Sequence, residues 1–187
     1  MLEINFDTFP LLQTNRLVLR PLEDTDAKAL FNLRSNPQVM RYFGRPLMQS
    51  IDEALEKLAQ NKIMFANSDG VEWAMSFHDD PQMIGSLAIW KIDKINHRGE
   101  IGYMLHPEQH GKGLMSEALQ ALIQYGFETL NLHSLEANVN PDNAASIQLL
   151  VRNGFVREAY FRENFYFDGK FEDSAIYSLL CHHKNND

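Results

Sequence analysis

The sequence predicts an α/β (α+β) fold: a central mixed, mostly antiparallel twisted sheet of about seven strands, flanked by helices on both faces. Three observations point there. Stretches with apolar residues at period two interleave with stretches at helical period, in the order strand, two helices, three strands, helix, strand, helix, two strands. The helical stretch at residues 114–130 has a broad apolar face and a narrow polar stripe, the pattern of a helix laid on a sheet. The 187 residues, 44% hydrophobic and 22% charged, contain no repeat, low-complexity tract or linker, so one core suffices. Residues 10–182 are read as a single domain and residues 183–187 as a polar tail.

Residues 16–22 read Arg-Leu-Val-Leu-Arg-Pro-Leu, an alternating strand that proline closes. Asp24 and Asp26 offer capping oxygens to a first helix carrying Ala27, Leu30, Phe31 and Leu33, which Asn36-Pro37 interrupts. Ser50 starts a second helix, with Glu53 at capping-box spacing and Ile51, Ala54, Leu55, Leu58, Ala59 and Ile63 at helical period. The rhythm then changes. Trp73, Met75 and Phe77 share one side of a strand, Asp79-Asp80-Pro81 turns the chain, and residues 84–90 return as a hairpin.

After a turn at residues 96–99, residues 100–105 form a strand with Ile101, Tyr103 and Leu105 on one face and Glu100, Gly102 and Met104 on the other. In the helix that follows, Glu117, Gln120, Gln124 and Glu128 mark the polar stripe. Residues 133–140 alternate through Leu135, Ala137 and Val139; Asn140-Pro141 opens a last helix with proline at its favoured first position, and Asn153-Gly154 ends it. Residues 155–180 read as two strands joined by an aromatic loop at 161–167 and a turn at Asp168-Gly169.

Lys and Arg total 17 against 25 Asp and Glu, a formal charge of −8. That balance disfavours a surface committed to nucleic-acid phosphates and favours cationic partners. The start lacks the basic segment and apolar core of a secretory signal, and no run approaches the about 20 apolar residues of a membrane-spanning helix. Cys181 is the single cysteine, so no internal disulfide forms and a reducing cytoplasm is the natural setting. His97, His106, His110 and His133 lack ligand spacing, so no metal is expected.

The turn at Glu108-Gln109-His110-Gly111-Lys112-Gly113 runs from a strand into a helix. Glycines there let backbone N–H groups converge, and the helix N-terminus adds partial positive charge. Gly111, Gly113 and the amides of Leu114, Met115 and Ser116 can cradle a pyrophosphate, with Lys112 as a mobile cation. A glycine-rich turn is equally often turn chemistry alone. The spacing matches neither a Walker phosphate loop nor a three-glycine dinucleotide fingerprint.

Three blocks together resemble the GNAT superfamily of N-acetyltransferases, specifically its ribosomal-protein RimJ/RimL-like branch. They are Arg16-Leu17-Val18-Leu19-Arg20-Pro21; Gly102-Tyr103 through Gly111-Lys112-Gly113-Leu114-Met115-Ser116-Glu117-Ala118; and Asn143-Ala144-Ala145-Ser146 with Asn153-Gly154-Phe155. The resemblance implies the GNAT fold, with the sheet splayed between its fourth and fifth strands, residues 100–105 and 133–140. It implies acetyl-CoA as cosubstrate, whose pantetheine arm enters the splay along Tyr103, Met104, Leu105 and Asn138 and meets Asn143. Where the family often has Gln or Arg before the first glycine, this chain has Glu108.

Attack on a thioester requires a neutral amine. A peptide α-amine of pKa about 7.8 is roughly 14% neutral at pH 7, whereas a lysine near 10.4 is about 0.04% neutral. Glu100, beginning the strand that lines the splay, is the candidate base; the competing reading pairs it with Arg98 on the surface. Glu136 and Glu163 are weaker alternatives. By resemblance, Ser146 matches the serine that contacts the sulfur in RimL-like enzymes; the alternative is a hydroxyl bonded back to its own helix. Many GNAT enzymes use a tyrosine in the last helix, and Leu150 stands there.

The aromatic residues at 161–167 pack in the core, wall an acceptor pocket or cover a homodimer contact. By resemblance, Tyr42-Phe43-Gly44-Arg45-Pro46 forms part of the acceptor wall. The acceptor implied is a protein N-terminal α-amine. The alternatives are a small cationic amine, of polyamine or aminoglycoside type, and a module that holds CoA without catalysis.

Overall fold

Period-two patterning puts Leu17, Leu19, Trp73, Met75, Leu87 and Ile89 on one face of neighbouring strands, and all six are buried. The computed structural model describes residues 2–4 and 6–181. The expected tail at 183–187 lies outside the described residues. Eight strands form one sheet: β1 (Leu12–Gln13), β2 (Leu17–Pro21), β3 (Gly70–Phe77), β4 (Gly85–Asp93), β5 (Arg98–Leu105), β6 (Ser134–Val139), β7 (Val156–Phe167) and β8 (Lys170–Leu180). Their spatial order is β1-β2-β3-β4-β5-β6-β8-β7. Every neighbouring pair is antiparallel except β5 with β6.

Helices cover both faces, as the patterning predicts. On one side α1 (Ala27–Arg34) and α3 (Ile51–Ala66) bury Leu30, Leu33, Ala54 and Leu58 against Ala74 and Met104. On the other, α4 (Leu114–Gln124) and α5 (Ala144–Arg152) add Leu114, Leu119, Leu122 and Leu150 to the larger core. A short α2 (Pro37–Met40) is capped by the Asn36 side chain, which accepts from Gln38 N at 2.9 Å, so Asn36-Pro37 starts a helix as well as ending one. Ser50 caps α3 by accepting from Glu53 N, while the Glu53 carboxylate reaches back to Gln49 N.

The feature that positions the site is a failure of pairing. β5 and β6 pair in parallel over only Arg98–Glu100 and Ser134–Glu136. Beyond that, β5 stays bonded to β4 as far as Leu105 and β6 stays bonded to β8 as far as Val139. The two therefore diverge, and the sheet opens between the strands formed by residues 100–105 and 133–140, the splay implied by the resemblance.

Several expectations are corrected. The sheet has an eighth strand, β1, two residues long and too short to show a period. The stretch 161–167 is the second half of β7 rather than a loop, with the register broken between Phe161 and Phe165 by a bulge in which Glu163 takes φ +51°. Its aromatics are largely exposed rather than packed in the core: Phe161 is 48% and Tyr166 62% accessible. The helix from Leu114 is α-helical only to Gln124 and continues as a wider turn, Tyr125–Thr129, in which Leu130 N bonds the Tyr125 carbonyl. Pro141 is not the first helical residue. Asn140 folds its Oδ1 onto Asp142 N, and Asn143 becomes the cap of α5 by accepting from Ser146 N at 3.1 Å.

Arg20 on β2 holds Asp26, ahead of α1, through two parallel bonds of 2.8 Å. The pair is largely buried, with side chains 17% and 6% exposed. Removing one partner from such a pair strands the other charge. Arg20→Leu is expected to cost about 3 kcal/mol in urea unfolding. Lys62→Ala, which breaks the exposed pair with Asp24, is expected to cost less than about 1 kcal/mol.

Candidate active site

After β5 the chain makes a turn at Pro107–Gln109, where His110 Nε2 lies 3.0 Å from the Leu105 carbonyl. Gly111 and Gly113 follow with φ of +73° and +75°. No atom lies within 4 Å of a Cβ built on Gly111, so backbone conformation rather than crowding calls for glycine there. Gly113 caps α4, and Leu114, Met115 and Ser116 supply the first helical amides, which have no carbonyl one turn earlier to bond. Lys112 Nζ donates to Gln109 Oε1 at 2.9 Å. Glu108 points away, its side chain 83% exposed and 3.9 Å from His106 Nδ1.

This turn is braced from the segment just before β2. Arg16 donates from Nη1 to the Lys112 carbonyl at 3.0 Å and from Nε to Glu117 Oε2 at 2.7 Å. Glu117 also accepts from Arg16 N and Thr14 Oγ1. Burial acts to raise its carboxyl, but these hydrogen bonds and the Arg16 charge outweigh it and hold the carboxyl below its ordinary range. Two of the three blocks that carry the family resemblance thus meet here.

A cavity of 510 Å³ occupies the splay and extends under α1 and α3, and Glu100, Tyr103, Met104, Asn138, Asn143 and Ser146 all line it. The Tyr103 hydroxyl lies 2.7 Å from Ser146 Oγ, bridging β5 to α5 across the gap. Burial pushes the Tyr103 phenol up to about 12, against a smaller downward pull from the Ser146 bond, so it stays protonated at neutral pH. Leu150 is fully buried and brings no hydroxyl. Asn143 uses Oδ1 for its cap, which leaves the Nδ2 group to donate. Gly102 is demanded by packing, because a Cβ there would come within 2.2 Å of the Trp90 ring.

Glu100 is 14% exposed and pairs at 2.7 Å with Lys91, not with Arg98. Lys91 sits at φ +49° beside the β4 bulge and reaches back over Glu100, while Arg98 lies 3.6 Å from Glu136 across the parallel pair. Glu136 and Glu163 do not line the cavity, whereas Arg34, Arg45, Lys57 and Glu72 do. Arg45 belongs to the 42–46 segment expected in the acceptor wall, and Tyr42, Phe43 and Gly44 line the cavity with it; the other three went unremarked. Glu72 left a signal, a charge inside the apolar run of β3; Arg34 and Lys57 left none, since their meeting depends on how α1 and α3 pack. Among the described residues, no three His, Cys, Asp or Glu gather as a metal site, and no helix is long and apolar enough to cross a membrane.

The fold and the braced turn define a class, and comparison with known proteins agrees. The profile of the Acetyltransferase (GNAT) domain matches residues 16–156, and the chain belongs to this family. It is 35% identical over 172 residues to the uncharacterized N-acetyltransferase YoaA of Bacillus subtilis, covering 92% of this chain and 97% of that one. It is 26% identical over 166 residues to the ribosomal-protein-serine acetyltransferase of Escherichia coli, covering 88% and 92%. The structure of spermidine N-acetyltransferase from Vibrio cholerae, in complex with CoA and spermine, matches with a TM-score of 0.78 at 27% identity, over 88% of this chain and 95% of that one. The protein is an N-acetyltransferase with acetyl-CoA as its donor.

Two outcomes follow from this geometry. Gly113→Ala meets nothing closer than 3.6 Å but must adopt a left-handed conformation, so a loss of about 1–2 kcal/mol in urea unfolding is expected. Tyr103 and Tyr125 are both pushed up to about 12 by burial, from an unfolded value of about 10. The native state therefore holds more protons between those values, and stability is full below pH 10 and falls as pH climbs through about 12. Urea midpoints measured from pH 9 to 12 should trace that fall, and Tyr103→Phe should make it shallower.

Proposed function

We propose that this chain acetylates a protein N-terminal α-amine, by direct attack of the amine on acetyl-CoA in a ternary complex. The observation that carries the reading is the Tyr103–Ser146 pair, set where the splay opens into the cavity. Acetyl-CoA supplies a thioester whose C–S bond breaks as the new amide forms. The residues present suit it. The amides of Leu114, Met115 and Ser116, with Gly111, Gly113 and Lys112, offer donors for a diphosphate. The edges of Tyr103, Met104, Leu105 and Asn138 and the Nδ2 group of Asn143 offer partners for the pantetheine arm.

In this reading Ser146 donates a hydrogen bond to the departing thiolate, with Tyr103 supporting its hydroxyl. Leu150 brings no hydroxyl, and the phenol in the splay comes from Tyr103. Glu100 receives the amine proton, directly or through water. Its ion pair with Lys91 holds the carboxylate at the splay, and an α-amine, already partly neutral at pH 7, asks little of a base there. The relative that acts on a ribosomal-protein serine supports an N-terminal acceptor. A lone cysteine suits a reducing compartment, and the reaction is assigned to the cytoplasm.

Thiol release from acetyl-CoA, followed with free-N-terminus peptides and with spermidine, tests the acceptor: peptides are expected to react, and a reaction with spermidine alone overturns the choice. Ser146→Ala is expected to lower kcat by about 10-fold or more. An unchanged single-turnover rate removes Ser146 from the chemistry.

A further inference from the structure

The wall of the cavity under α1 and α3 carries more positive charge than it can satisfy. Arg34 ends α1, Arg45 lies in the loop before α3, and Lys57 lies on α3; the carboxylate set among them is Glu72 of β3. Lys57 is already engaged, donating to Asn61 Oδ1 at 2.5 Å and lying 3.7 Å from Glu72 Oε2. Glu72 in turn accepts from Ser86 Oγ at 2.9 Å. Neither guanidinium has a hydrogen-bond or ion-pair partner among the described residues, and the Arg34 Nε is buried without an acceptor. Burial lowers the Arg34 and Lys57 pKa values, and repulsion from Arg45 adds to the lowering of both, although Glu72 opposes it. Arg45 is exposed, so the cost of a buried cation without a partner falls on Arg34, and a bound anion returns it.

The opposite wall offers no equivalent seat for a cation. Glu172 accepts from Asn140 Nδ2 and from Lys170 Nζ, both at 3.0 Å. Asp173 accepts from the Tyr160 hydroxyl and from Glu163 N. Glu100 is held by Lys91. The wall under α1 and α3 thus departs from the lean toward cationic partners that the net charge of −8 implies, with Arg34, Arg45 and Lys57 around Glu72.

We infer that the acceptor is an amine bearing its own anionic group, a carboxylate, which seats on Arg34 and Arg45 while the amine points into the splay. This rests on the acetyltransferase activity described above and narrows its substrate class. Glu72, Ala88 and Gly102 are register partners across β3, β4 and β5. Glu72, whose charge acts on Arg34, therefore lies about two strand spacings, roughly 10 Å, from the splay. That span fits an N-terminal residue followed by an acidic side chain, or an ω-amino acid. Guanidinium groups bind carboxylate through paired N–H bonds, which gives orientation as well as affinity.

The test uses acceptor pairs that differ in one anion: the amidated peptides Ser-Glu-Ala-Ala and Ser-Gln-Ala-Ala, and 5-aminopentanoate against pentylamine. The acidic member is expected to have at least 10-fold higher kcat/KM, mainly through KM; the pair in which this occurs tells a protein terminus from a free amino acid. Arg45→Gln, on a surface loop, and Arg34→Gln should bring the ratio to within about 3-fold of unity, and Arg45→Lys should restore part of it. Calorimetric binding of N-acetyl-Ser-Glu-Ala-Ala amide against its Gln counterpart reads the same preference without turnover. Equal values for both members in the wild type, by rate and by binding, overturn the inference, as does a preference that survives both Gln substitutions. Failure of thiol release with every amine, with the binding preference intact, sinks the proposed transfer to an N-terminus and leaves the anion seat standing.

Discussion

Everything at the active site depends on two parallel strands that part company. β5 and β6 share a ladder for three residues and then follow different neighbours, β4 and β8. A sheet interior normally has no free backbone donors or acceptors, because unpaired buried groups are costly. Here the facing edges of β5 and β6 beyond Glu100 and Glu136 are left without each other as partners. The gap also creates the space that the cavity fills, and it lets α5 approach β5 closely enough for Ser146 to meet Tyr103.

The glycine turn ahead of α4 is held in place for a different reason. Two glycines in the left-handed region give the turn its shape, and Arg16 ties it to Glu117 and thereby to the second strand. Such bracing fixes the amides before any ligand arrives, which reduces the ordering cost of binding. The end of the cavity under α1 and α3 is organised by charge instead. Lys57, Glu72 and Ser86 satisfy one another, and the guanidinium groups of Arg34 and Arg45 have no hydrogen-bond or ion-pair partner among the described residues. Backbone dipoles thus dominate one end of the site and side-chain cations the other.

The last helix and the strand facing it show how alternation distributes side chains. Leu150 is sealed in the core, whereas alternation along β5 sends Tyr103 toward α5, where its hydroxyl meets Ser146. No spacing rule along the chain links residues 103 and 146, so the pair was invisible as a pair, although each residue was picked out separately. Glu100 shows the converse. Its position on β5 was legible, but its partner was not, because Lys91 reaches it only through the irregular backbone beside the bulge.

Local physics determined much on its own. Periodicity fixed the alternation of strands and helices, Ser50 fixed the start of α3, and the glycine pair fixed the bend ahead of α4, since each of these depends on residues within one turn or one strand. The two-residue β1, the bulged β7 and the true start of α5 escaped because their hydrogen bonds, not their composition, define them. Only the tertiary structure decided at which residue the sheet opens and which charges gather on the cavity wall. Arg34, Arg45, Lys57 and Glu72 come from a helix end, a loop, a second helix and a strand, and their meeting follows from packing over long sequence separations. That is why an acidic chain can carry a locally cationic wall.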